Sequence, residues 1–325
     1  MNRRAVLAGA LSLPVVAAAP ARANQVDYRT WVRELRREAL TRGVSARVFD
    51  AAIAEAQQPI DRVLELDRRQ PESTLTFPEY LARVVTPQRI ETAIARFREN
   101  QAILGRVTER FGVQGRFIVA LWGIESNFGQ LTGGFNVFGA LATLAYDGRR
   151  SQFFRGELFN ALRIAEQQRI APRDMRGSWA GAMGQCQFMP SSYLNFAVDF
   201  DGDGRADIWQ SRPDVFASIA NYLARSGWRG DETWGREIVL PPGFDTGLID
   251  YTRVQRAPAE WQSLGVRRSD GGPMPAGPAA GIVQPDGAGG PAFFAYSNFR
   301  VIMRWNRSFR FAIAVGTLAD RIDAS

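Results

Sequence analysis

The sequence predicts a mainly α protein of the α+β kind, with a small β-containing portion towards its end. Apolar residues recur at helical spacing through most of the first two-thirds of the 325 residues. The interruptions between these runs are short and rich in glycine. The clearest strand-like run, Phe293-Phe294-Ala295-Tyr296, comes late, behind a stretch dense in Gly, Pro and Ala.

The elements follow in order. Arg3 and Arg4, the apolar run Ala5 to Ala19 and the small-residue site Ala21-Arg22-Ala23 read as a cleavable export signal over residues 1–23, so that the mature chain starts at Asn24. An apolar run of about 15 residues is short of the roughly 20 that a membrane span requires. Arg3-Arg4 followed by Val6-Leu7 also fits a twin-arginine signal, which leaves both the general secretory and the twin-arginine routes open. Leu7-Ala8-Gly9 is followed by Ala10 where a lipoprotein would carry its cysteine, so no lipid anchor is expected and the product is read as a soluble periplasmic protein.

Trp31, Leu35, Ala39 and Leu40 define a first helix, Gly43-Val44-Ser45 breaks it, and a second spans about Ala46 to Ala56. Pro71 to Pro78 reads as a polar connection. Ile90, Ile94 and Phe97, then Ile103, Leu104 and Val107, continue one apolar stripe to about Arg110. Further helices interrupted by Gly-rich loops lie between Phe117 and Tyr222. Composition shifts near Pro241, and Gly271 to Gly290 reads as a long surface excursion before the strand and a last helix from about Ser308 to Ile322. No internal repeat is visible.

Composition closes most catalytic routes. The chain has no histidine and no lysine, and its one cysteine is Cys186. A Ser-His-Asp triad, a histidine-ligated zinc site, Schiff-base chemistry, a P-loop lysine and an internal disulfide are all excluded. Proton transfer falls to Asp, Glu or Tyr. All 40 basic residues are arginine, and the net charge of +7 falls to +4 once Arg3, Arg4 and Arg22 are removed. That balance suits an acidic polymer such as a cell wall and gives no reason to expect a nucleic-acid partner.

Glu125 stands at i+7 from Ile118, behind Leu121 and Trp122 at i+3 and i+4, and so continues an apolar helical face. Desolvation there is expected to raise the pKa of its carboxyl towards about 6, suited to general-acid work. The plainer alternative is a buried Glu paired with an Arg. Asn127 and Gly129 are expected to end the helix and open a cleft edge.

Several separate segments, in order, carry a resemblance. They are Gly123-Ile124-Glu125-Ser126-Asn127-Phe128-Gly129, Ser178-Trp179-Ala180-Gly181-Ala182-Met183-Gly184, Gln187-Phe188-Met189-Pro190-Ser191-Ser192-Tyr193, Asp199-Phe200-Asp201-Gly202-Asp203-Gly204, Ala220-Asn221-Tyr222, Asn298-Phe299-Arg300 and Asn306-Arg307-Ser308. Together they resemble the membrane-bound lytic murein transglycosylase B family, over nearly all the mature chain. The resemblance implies a lysozyme-like catalytic core over 116–240, an N-terminal helical lobe over 24–115, and a C-terminal portion over 241–325 that completes the cleft. It implies cleavage of the β-1,4 bond between N-acetylmuramic acid and N-acetylglucosamine of peptidoglycan, with 1,6-anhydromuramic acid ends. Glu125 would act first as acid and then as base, and no second carboxylate stands near the motif; the next acid after it, Asp147, follows Tyr146 in an expected turn.

Ser178, Gln187, Tyr222 and Asn306 match substrate-contacting or Glu-orienting positions of the family. Each has an alternative: Ser178 and Asn306 as helix N-caps, Gln187 as a buried amide serving backbone, Tyr222 as core. The family's C-terminal motif commonly reads Tyr-Asn-x-Ser-x-x-Tyr, whereas here Trp305 and Phe311 hold the aromatic positions. Stacking on sugars is expected to persist and the phenol hydrogen bonds to be lost. Cys186 reads as a small buried apolar residue.

Asp199, Asp201, Asp203 and Asp207 occupy positions 1, 3, 5 and 9 of an EF-hand-like pattern, with Gly204 at the turn and the carbonyl of Arg205 at position 7. Gln210 stands where the closing Glu belongs, and the family's longer loop takes a later acid, matched by Asp214. The expected cofactor is a structural Ca²⁺ within 199–214, held by Asp199, Asp201, Asp203, Arg205 and Asp214; no organic cofactor is expected. Expected partners are peptidoglycan glycan strands, with cell-wall synthesis proteins as further candidates. A water-using muramidase and a non-catalytic calcium-stabilised wall-binding scaffold are the alternatives.

Overall fold

Fourteen α-helices and six short strands make up the described residues, 26–68 and 75–323, of the computed structural model. The expected signal segment and its cleavage point at Asn24 lie outside them. The N-terminal helices are α1 (Tyr28–Thr41), α2 (Ala46–Ala54), α3 (Asp61–Arg68), α4 (Phe77–Val84), α5 (Pro87–Glu99) and α6 (Gln101–Phe111). Their starts are written in the sequence: Asp27, Ser45 and Thr86 each accept from a backbone N–H in the first turn. The stripe ending near Arg110 is two helices, α5 and α6, meeting at Asn100.

The expected connection through Pro78 is shorter than the sequence suggested. Thr76 and Glu79 form a capping box, and α4 begins at Phe77. Pro78 falls in its first turn, where a missing N–H costs nothing.

The middle of the chain supplies α7 (Gly115–Ser126), β1 (Phe135–Asn136), α8 (Val137–Tyr146), α9 (Ser151–Gln168), β2 (Arg176–Gly177), α10 (Pro190–Phe196) and α11 (Arg212–Arg225). Helices α7 and α8 are buried almost all round, as their near-continuous apolar sequences require. Helix α8 packs on α9, and α7 lies among α5, α6 and α11. β1 and β2 form a two-residue antiparallel clasp, Phe135 opposite Gly177.

The last third builds β3 (Gly235–Val239), α12 (Pro258–Ser263), β4 (Arg267–Arg268), β5 (Gly281–Val283), β6 (Ala292–Ala295), α13 (Ser297–Trp305) and α14 (Phe309–Asp323). The strands form one antiparallel sheet in the order β4-β3-β6-β5, with Ile238 opposite Ala292 and Ile282 opposite Phe294. The strand expected at Phe293 and the closing helix are both present. The Gly271 to Gly290 stretch, however, is not all surface: Gly281, Ile282 and Val283 are buried as the edge strand β5. β-Branched Ile282 and Val283 supply the apolar side chains there.

The loop after β5 is pinned by Asp286, which accepts from the Phe77 N–H at 2.7 Å and from Arg310 at 2.8 Å. One apolar core runs from Leu35 in α1 to Ile322 in α14, and a smaller one around Trp261, Ile282 and Phe294 lies against the sheet. Helix α14 runs along α7 and closes the main core. Among the described residues no helix is long and apolar enough to cross a membrane.

Candidate active site

The last turn of α7 carries Glu125. Ile118, Leu121 and Trp122 on the same face are buried, whereas Glu125 is only partly so, because the helix stops one residue later. The carboxylate thus continues the apolar face, as its spacing suggests, and stands at the edge of the core. Three successive left-handed residues, Asn127, Phe128 and Gly129, turn the chain away. Phe128 holds φ 58°, unusual for a bulky residue, while its ring packs edge-on against Trp122 at 5.4 Å. Such strain persists only where surrounding contacts over-determine it.

The indole N–H of Trp305 donates to Oε1 of Glu125 at 2.7 Å. Trp305 is itself held edge-on by Tyr222, at 4.7 Å between ring centroids, and by the tilted ring of Phe188 at 5.3 Å. The Tyr222 hydroxyl donates to the carbonyl of Arg304 at 2.7 Å, which fixes the turn that presents Trp305. The sequence comparison counted the loss of a phenol at position 305 as the loss of a hydrogen bond. The indole supplies one instead. Phe311 offers no plane to a sugar, since it is buried in α14.

Two loops complete the surroundings. Ser178, after β2, is not a helix cap: its hydroxyl accepts from the N–H groups of Ala180 at 3.3 Å and Ala182 at 3.1 Å and closes a turn. Gly133 lies so close to this turn that a Cβ on it would stand 2.1 Å from the Gly177 carbonyl oxygen. Gln187 adopts φ 50° and donates its side-chain amide to the carbonyls of Thr132 at 3.1 Å and Gly184 at 2.8 Å. It thereby ties the loop to the segment that follows α7. Asn306 is exposed at the end of α13, beside Trp305, and the cap of α14 is Ser308, which accepts from the Phe311 N–H. Tyr222 and Asn306 thus flank Trp305, while Ser178 and Gln187 sit on the loop whose Phe188 touches Trp305. Asp147 caps the end of α8 and pairs with Arg68, in keeping with the turn expected there.

Gln185 was passed over in the sequence. Its Oε1 accepts from the Trp122 indole at 2.8 Å, its Nε2 donates to the Trp209 carbonyl at 2.7 Å, and its own carbonyl accepts from Ser126 Oγ at 2.8 Å. One side chain therefore joins the Glu125 helix to the acidic loop. Gly129 is required beside it, because a Cβ there would lie 2.4 Å from Gln185 Oε1. The neighbouring Cys186 is fully buried, as expected. Burial pushes its thiol well above the usual range, and the nearby Glu125 and Asp214 carboxylates add to that, so it is an inert side chain.

The acidic loop brings Asp199, Asp201 and Asp214 together, each offering an oxygen within 4.8 Å of the others. Asp214 is buried and accepts from the N–H groups of Phe200 at 2.7 Å and Asp207 at 2.8 Å. Desolvation nevertheless pushes its carboxyl above the ordinary value, with Asp201 contributing repulsion. Asp203 does not join the group; its carboxylate accepts from the Arg205 N–H at 2.9 Å. Asp207 turns to the N–H groups of Trp209 and Gln210. Three clustered hard oxygen donors, one of them desolvated, fit a cation such as calcium.

Residues 27–320 match the family model described as a transglycosylase SLT domain. The chain is 33% identical to the membrane-bound lytic murein transglycosylase B of Escherichia coli K12, over 86% of this chain and 79% of that protein. It superimposes on SltB3 from Pseudomonas aeruginosa in complex with NAG-anhNAM-pentapeptide with a TM-score of 0.86 and 44% identity, over 92% of this chain and 80% of that one. It is also similar to the Escherichia coli lytic transglycosylase Slt35 in complex with calcium, with a TM-score of 0.77 and 27% identity, over 93% of this chain and 94% of that one.

Proposed function

This chain belongs to the transglycosylase SLT domain family and is a lytic transglycosylase of peptidoglycan, and from that premise we propose that Glu125 performs both proton transfers of the reaction. The carboxyl first gives its proton to the glycosidic oxygen between N-acetylmuramic acid and N-acetylglucosamine, and the leaving sugar departs. The resulting muramoyl cation is stabilised by its own N-acetyl group. The Glu125 carboxylate then removes the proton of the muramoyl 6-hydroxyl, whose oxygen closes on the anomeric carbon to give the 1,6-anhydro ring. One group suffices because the acid of the first step is left as the base of the second.

The observation that carries this reading is the Trp305–Glu125 hydrogen bond. An indole N–H donates and cannot accept. It therefore holds Oε1 as an acceptor, assigns the mobile proton to Oε2, and fixes the carboxyl plane against the cleft. Around it, Ser178, Gln187, Tyr222 and Asn306 are proposed to contact the glycan. Asn306 is exposed and the other three are partly so, which leaves each of them surface to offer a sugar.

The acidic loop is proposed to hold a structural calcium ion through Asp199, Asp201 and Asp214, with the Arg205 carbonyl and Asp203 as the further ligands that the resemblance implies. The ion would supply charge compensation, and Gln185 would pass the loop's position on to α7. The division into a helical lobe (24–115), a catalytic core (116–240) and a C-terminal portion (241–325) is proposed on the same basis. So is export of the chain to the periplasm by a signal over 1–23.

Mass spectrometry of fragments released from purified sacculi tests the mechanism. Products ending in 1,6-anhydromuramic acid, lighter by one water than hydrolytic ones, are expected, and Glu125→Gln should release none. Reducing ends in their place would make water the nucleophile and overturn the second proton transfer.

A further inference from the structure

Glu157, on α9, is a buried acid that the reaction described above does not use. It is 4% exposed, and among the described residues it forms no ion pair. Taking a carboxylate out of water is costly unless a good donor meets it. Here the donor is backbone: Oε2 of Glu157 accepts from the Ser191 N–H at 2.8 Å, 34 residues further along the chain.

Ser191 lies in the first turn of α10, whose N–H groups have no partner within the helix. A Ser, Thr, Asp or Asn at the N-cap ordinarily serves them. The N-cap of α10 is Met189, whose side chain makes no such bond. The cap comes from another helix instead. A local cap would satisfy the N–H wherever α10 lay, whereas one borne by α9 also fixes where it lies.

That position matters because an aromatic ring at each end of α10 touches the residues behind Glu125. Just before the helix, Phe188 lies 5.3 Å from Trp305 and 6.0 Å from Tyr222. At its end, Phe196 lies 4.5 Å from Tyr222, and the Phe196 carbonyl accepts from Asn221 at 2.9 Å. Gln187 has ties of its own, to the Thr132 and Gly184 carbonyls.

We propose that Glu157 is a positioning residue for the reaction. By holding the start of α10 it sets Phe188 against Trp305 and Phe196 against Tyr222, and so keeps the Trp305 indole on Glu125. The proposal rests on the reading of Glu125 as the proton-transfer group. A loosened α10 misdirects the carboxyl while Gln187 keeps its place, so the loss falls on kcat and spares KM.

A double-mutant cycle on a defined glycan oligomer tests this. Glu157→Ala is expected to lower kcat about tenfold with KM within about twofold. Glu157→Gln, which keeps an accepting oxygen, should recover most of the loss. In the Trp305→Phe background Glu157→Ala should cost no more than about twofold, since the bond it protects is already gone. Ile282→Ala, in the smaller core, should lower Tm and leave kcat as it is. A tenfold loss in both backgrounds, a loss carried by KM, or an unchanged kcat would overturn the proposal. Should Glu157→Ala fail to fold, Glu157→Asp, which draws the carboxylate back by one methylene, is read by the same criteria. Hydrogen exchange at the Ser191 amide reads the tie apart from the chemistry: it should be slow in wild type and fast in Glu157→Ala, and fast exchange in wild type would also overturn the proposal. A Glu125→Gln variant with wild-type turnover would instead bring down the reading of Glu125.

Discussion

Trp305 and Glu125 lie 180 residues apart in the chain and 2.7 Å apart in the fold, joined by an indole N–H on a carboxylate oxygen. A hydrogen bond to a charged group contributes about 1.5–3 kcal/mol, which corresponds to roughly tenfold to hundredfold in rate when it is made at the reacting group. Trp305→Phe is therefore expected to lower kcat by that range with a smaller change in KM. Trp305→Tyr, which returns an aromatic O–H donor, should recover part of it. Steady-state kinetics on one defined glycan oligomer checks both.

Removing the ionisable group while keeping its shape isolates the proton chemistry. Glu125→Gln should retain the circular dichroism spectrum and the glycan affinity of wild type, and lose about 10²–10⁴-fold or more in turnover. A variant that still cut sacculi at the wild-type rate would remove Glu125 from the mechanism.

The Gln185 bridge makes a separate claim. Gln185→Ala strands the buried Trp122 N–H, at a cost of about 1–3 kcal/mol, and should lower Tm by several degrees. Its signature is an uncoupling. Added calcium should still raise Tm in the variant, but should no longer raise turnover. Gly129→Ala, which meets Gln185 at 2.4 Å and sits at φ 83°, should produce the same loss of stability from the other side.

Calcium binding should also depend on pH with a definite sign. The folded state holds a proton on Asp214 more readily than the unfolded chain does, because burial pushes that carboxyl up. Without metal, its contribution to stability is full below the ordinary Asp value and is lost as pH rises through the raised one. A cation needs the carboxylate ionised and recovers that loss. The gain in Tm on adding calcium should thus be small near about pH 4 and large near about pH 7. Asp201→Ala should abolish it, and scanning calorimetry in calcium and in chelator would show a flat difference if the site were wrong.

Much of this was legible in the sequence because it is local. Helical spacing located α1, α2 and the Glu125 helix, and Asn127 and Gly129 marked where that helix stops. The unread parts depend on residues distant in the chain. Glycine and proline around Gly281 concealed a buried strand, since its pairing partner Phe294 lies beyond the loop. Phe311 looked like a cleft aromatic by motif position, yet α14 turns it into the core. Asp203 fitted the acidic pattern by spacing, yet its carboxylate stays apart, while Asp214, which the resemblance had named and spacing had not, gathers with Asp199 and Asp201 from the first turn of the next helix. Gln185 gave no signal, because an amide's value lies in what it spans.

The packing of α14 along α7 has a consequence for when the molecule becomes active. The apolar face of the helix that bears Glu125 is covered by a segment synthesised after almost everything else described, and Trp305 arrives only just before it. A growing chain can form α7, but it can neither bury that face nor orient the carboxylate until its far end is available. Contacts of such long separation form late in folding. The acid is thus assembled only once α13 and α14 have been made, so a wall-cutting centre stays unarmed until those two helices are in place.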